Sequence, residues 1–81
     1  VTVHRAHGLR FIIYTQDHEP AHVHVRGANG EARINLLDGR LMSNFGLSAP
    51  DLRRAIVEVT EKRQHLLAAW ETIMADVVRA D

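Results

Sequence analysis

The chain has 81 residues, a formal net charge of zero and an apolar share of 46%. That length admits one domain with a thin core, the apolar share argues against disorder, and zero net charge removes a global basic field for nucleic acid. Cysteine is absent, which excludes disulfides and cysteine-ligated zinc; with no charged-then-apolar leader and no apolar run of about eighteen residues, a soluble cytoplasmic protein without membrane contact is expected.

In chain order, a period of two runs to about Asn44 and predicts strands. "VTVHR" (Val1–Arg5) and "LRFIIYT" (Leu9–Thr15) flank a turn at "AHG". "AHVHVR" (Ala21–Arg26) and "EARINLL" (Glu31–Leu37) flank "GANG", whose residues tolerate positive φ. Asp38-Gly39 is a strong hairpin signal and leads into a short strand near Leu41–Ser43. From Ser48 the pattern becomes helical: Ser48 suits the N-cap, Pro50 the first turn, and Asp51 the positive end of the helix dipole. Leu52, Ile56, Val59, Leu66, Trp70, Ile73 and Val77 step by threes and fours, interrupted at Arg63. The expectation is a single α+β domain over 1–81. Residues 1–46 form an antiparallel meander of four to five strands, and residues 48–79 form one long C-terminal helix packed on one face.

The register of the second hairpin fixes which side chains share a face. A turn closed symmetrically at Gly27–Gly30 sets Val25 opposite Ala32 and Val23 opposite Ile34 on the apolar face. The other face then pairs Arg26 with Glu31, His24 with Arg33 and His22 with Asn35. A turn on Asn29-Gly30 would oppose Arg26 to Arg33, a like-charge pair, so the first register is preferred; both give the same sidedness. His22, His24, Arg26, Glu31, Arg33 and Asn35 are therefore expected as a polar cluster facing away from the helix, joined by Arg10 and Tyr14.

Three readings of that cluster stand open. Histidines two apart on a strand place both rings on one side, their Cα atoms roughly 6–7 Å apart, so a divalent metal can sit between His22 and His24. His18, Glu19 or Glu31 would supply a third ligand, and the cations Arg26 and Arg33 oppose it. Imidazoles flanked by arginines also suit a metal-independent, ribonuclease-like acid–base site acting on RNA. A solvated sheet face, or one that only docks a partner, needs no chemistry at all. His4, His7 and His65 are expected at the surface, and Asp51, Arg54, Glu58 and Lys62 as ordinary helix-surface charges.

The helix is longer than the sheet, so its second half is expected to project past it with Leu66, Trp70, Ile73, Met74 and Val77 on an exposed apolar side. Such a patch marks a homodimer or partner interface.

The assembled pattern resembles a small bacterial family catalogued as domain-of-unknown-function family 4160. "VTVHRAHGLRFIIYTQDHEPAHVHV" is similar to its opening, "GEARINL" to its following strand, and "GLSAPDLRRAIVEVTEKRQHLLAAW" to its helix, with Trp70 at the expected place. Ala21 stands where a second proline is common, and Asn35 where an aromatic often sits. The resemblance implies a partner protein, since members resemble components of toxin–antitoxin-type gene pairs; His22 and His24 are the motif positions it carries over. On these grounds the chain is expected to be a small interaction module, the alternative being a metal-binding or ribonuclease-like protein centred on His22 and His24.

Overall fold

The computed structural model describes the backbone of residues 1–80 and the side chains of residues 1–77. Five strands form one antiparallel sheet in chain order: β1 (Thr2–Ala6), β2 (Leu9–Ile12), β3 (His22–Arg26), β4 (Glu31–Asn35) and β5 (Leu41–Phe45). This is the expected meander. His7 (φ 55°) and Gly8 (φ 72°) occupy the left-handed region that a two-residue hairpin turn requires. The symmetric register of β3 and β4 is also found: Arg26 opposes Glu31, His24 opposes Arg33, and His22 opposes Asn35.

One sheet face carries the core. Phe11, Val23, Val25, Ala32, Ile34 and Leu36 are fully buried there, against Ala55, Val59, Leu66 and Trp70 from the helical segment. Burying each large apolar side chain contributes about 1.5–3 kcal/mol, which sets this layer as the main favourable contribution to folding. His4 also lies on the helix side, against expectation. Its ring sits 5.2 Å from that of Phe11, and Nε2 lies 3.6 Å from Oε1 of Glu58, which turns inward rather than lying on the helix surface.

The helical segment begins as its sequence dictates, with Ser48 Oγ accepting from the Asp51 amide at 3.3 Å and Pro50 in the first turn. It is two helices rather than the single one expected: α1 (Ala49–Glu61) and α2 (Arg63–Ala80), parted at Lys62 (φ −104°, ψ 16°). Run straight, the same stretch would be about 48 Å long, more than the 40 Å longest dimension of the fold. Arg63 supplies the reason. Four residues after Val59, it would fall on the core-facing stripe of a continuous helix. At the break its guanidinium instead donates to the Leu36 carbonyl at 3.0 Å and to that of Leu37, tying the start of α2 to the end of β4.

The break brings Leu66 (0% exposed) and Trp70 (4%) into the chain's own core. They are not the exposed interface residues expected from a projecting helix; Ile73, Met74 and Val77 are half-buried. Arg63→Ala is expected to cost about 1 kcal/mol by removing charge-assisted bonds at a largely exposed site, read as a lower urea midpoint with an unchanged slope. Among the described residues no helix is long and apolar enough to cross a membrane.

Candidate metal centre

The residues between β2 and β3 fold back over the outer face of the sheet. Tyr14 and Asp17 close a turn: the Asp17 amide donates to the Tyr14 carbonyl at 3.0 Å, and the Tyr14 amide donates to Asp17 Oδ2 at 2.9 Å. One carboxylate oxygen of Asp17 is thereby anchored to backbone, and Oδ1 faces the histidines. It lies 3.0 Å from Nε2 of His24 and 3.5 Å from Nε2 of His22.

The cover buries the pair. His22 is 6% and His24 8% exposed, so the expected solvated face is corrected at these two positions. Four rings stand in sequence. Tyr14 meets His24 edge-on at 4.7 Å, His24 meets His22 at 5.1 Å, and His22 meets Trp70 of α2 at 5.3 Å. Parity along the strand decided which side the histidines leave the backbone; it carried no information about what would lie on top of them.

Each imidazole is braced on its far nitrogen. His22 Nδ1 is 2.8 Å from the Pro20 carbonyl oxygen, which can only accept, so in the neutral ring the proton is on Nδ1 and the lone pair on Nε2. His24 Nδ1 lies 3.4 Å from Glu31 Oε2, the carboxylate–histidine arrangement that orients metal-ligating imidazoles. Asp17, His22 and His24 thus offer three donor atoms within 4.8 Å of one another. Ligands about 2.0–2.1 Å from zinc in a tetrahedron lie about 3.3 Å apart, and the two Asp17 separations bracket that value.

His18, expected as a third ligand, is exposed and stands outside this donor group; Asp17, its neighbour in sequence, stands in it instead. Asn35 is also not part of the centre, because its Oδ1 accepts from the Leu37 and Asp38 amides in the turn after β4. Of the two arginines expected to repel a cation, Arg26 has a carboxylate near it and Arg33 a hydroxyl, which leaves the Arg33 charge uncompensated. Arg33 Nε donates to Ser43 Oγ at 2.9 Å, and Arg26 Nε is 3.6 Å from Glu31 Oε1. Beside the donors opens a cleft of about 270 Å³ lined by Asp17, His18, Pro20, His22, Arg33 and Met42 among others.

No curated protein and no solved structure matches the chain. The family model described as Domain of unknown function (DUF4160) matches residues 8–71, a span that takes in β2 to β5, α1, half of α2 and all three donors of the centre, and the chain belongs to that family.

Proposed function

We propose that this protein binds one divalent transition-metal ion, zinc being the best match, through Asp17 Oδ1, His22 Nε2 and His24 Nε2. The observation that carries the reading is the pairing of lone pairs at its centre. With Nδ1–H of His22 committed to the Pro20 carbonyl, the Nε2 lone pair faces a carboxylate oxygen 3.5 Å away. His24 Nε2 lies 3.0 Å from the same oxygen; with the proton of that neutral ring on Nδ1, toward Glu31, three lone pairs converge, and a cation between them converts their repulsion into coordination. Three protein ligands leave a fourth position for water or substrate, the pattern of catalytic rather than structural zinc. An ion there would act as a Lewis acid and lower the pKa of its water to about 7.

The test is metal content after purification without a histidine tag, followed by zinc titration of the chelated protein. The expected result is one ion per chain in the wild type and in His18→Ala, and none in Asp17→Asn or in the double variant His22→Ala/His24→Ala. Glu31→Gln should bind about 10–100-fold more weakly, as loss of a bracing carboxylate does elsewhere. A wild type that takes up no zinc, nickel or iron would sink the reading.

The interaction-module reading, one component of a toxin–antitoxin-type pair, retains one supporting observation. An apolar groove of about 560 Å³ lies along α2, lined by Leu37, Leu67, Trp70, Met74 and Ala75, with Glu19 and Glu71 at its border. A partner helix or a second copy of the chain would fit such a groove through the half-buried Met74.

A further inference from the structure

We propose that the outer sheet face beside the metal centre binds single-stranded nucleic acid, with Arg10, Arg26 and Arg33 taking phosphates and Phe45 stacking on a base. This rests on the metal reading only in that it names the ligand class presented to the ion; the surface itself is argued from other residues.

The strand register lines up one row across four strands. Arg10 opposes Arg26, Arg26 opposes Glu31, and Glu31 opposes Phe45. The adjacent row runs Ile12, His24, Arg33, Ser43. With Arg5 opposite Arg10 at the β1 end of the row, four guanidinium groups and one phenyl ring therefore leave the sheet on the same side as His24, one residue pair from the metal donors.

Two features of this face make no sense for folding alone. Arg10 directly opposite Arg26 is a like-charge cross-strand pair, which destabilises a sheet. Among the described residues neither Arg10 nor Arg33 forms an ion pair with a carboxylate, and Arg26 has only the 3.6 Å contact with Glu31. Phe45 is 74% exposed, the most exposed large apolar side chain among those described. An anion accounts for the first feature and a flat aromatic ligand for the second; a polynucleotide with unstacked bases supplies both on one chain. A duplex keeps its bases stacked and offers Phe45 nothing, which favours the single strand. The zero net charge of the whole protein is no objection, because the basic groups are gathered locally.

The deciding experiment is fluorescence anisotropy with a labelled, unstructured RNA of about a dozen nucleotides, and with a DNA duplex of the same length. The single strand is expected to bind more tightly, with a slope of log K against log salt of about −2, as about three phosphate contacts require. Phe45→Ala should weaken binding by about 5- to 150-fold and leave the slope unchanged. Arg10→Ala should weaken it and reduce the slope by about 0.7. Both side chains project from the outer face, and circular dichroism would check that the variants are folded.

Asp17→Asn separates the two readings. Unchanged RNA binding by this metal-free variant supports the surface independently of the ion. Wild-type zinc binding without RNA binding overturns this proposal and leaves the metal centre standing. Preference for the duplex, or affinity indifferent to Phe45→Ala and Arg10→Ala, also overturns it and points to an acidic protein as the occupant.

Discussion

Trp70→Ala is expected to lower the melting temperature by more than about 10 °C, a loss of about 3–5 kcal/mol. A small domain holds about 5–15 kcal/mol in all, and one of this length lies towards the lower end. The indole is 4% exposed and joins the second helix to the sheet, with one face against the His22 ring. Removing it opens a cavity between α2 and the sheet. Trp70→Phe keeps much of the volume and should recover about half the loss. Because His22 loses its backing, zinc affinity in the alanine variant should fall as well, although no ligand has been touched. Urea unfolding with and without zinc measures both effects. A loss below about 1 kcal/mol would mean that the side chain serves an interface rather than this core.

Gly30→Ala is the second large effect, and its cause is backbone rather than packing. A Cβ at Gly30 would stand 2.0 Å from the Phe45 carbonyl oxygen and 2.7 Å from both Cα and the carbonyl carbon of Gly46. None of these atoms belongs to a flexible side chain, so β4 and β5 must part or the turn before β4 must rebuild, at a cost of about 3 kcal/mol. Gly27 provides the comparison at the other end of the same turn. Its Cβ would meet the terminal methyl groups of Leu9 and Leu47 at 3.0 Å, and those can rotate aside. Gly27→Ala should therefore cost less than about 1 kcal/mol. Equal losses in the two variants, measured by chemical denaturation, would refute the close approach of β4 and β5.

These residues also show how far the sequence could be read. The β3–β4 register was legible because Arg26, Glu31 and Arg33 allow only one pairing that avoids like charges. The helix start was legible because Ser48, Pro50 and Asp51 each satisfy a local requirement. The helix break was not, since it has no glycine or proline; it follows from where Arg63 would fall once the helix meets a sheet of finite length. Asp17 was missed for a similar reason. It lies beside His18 in a stretch with no periodicity, and only the turn it closes with Tyr14 decides which of the two faces the histidines. A position on a strand can be derived from period and parity, whereas the fold-back of a connecting segment depends on contacts far from it.

The locality of the centre bears on the order in which the molecule assembles. Its three donors, the carbonyl behind His22 and the carboxylate behind His24 all come from the stretch Tyr14–Glu31, two neighbouring turns of a meander. Closing such short loops costs little entropy, and hairpins form in about 1–10 μs. Of the helices, Trp70 stacks beside His22, and Met74 and Val77 line a hollow with Asp17. The donor set can therefore gather while the C-terminal half is still unfolded, and an ion captured at that stage would hold β2, β3 and β4 together as a nucleus. In that sequence of events a bound ion would accelerate folding, rather than merely retard the escape from a finished structure.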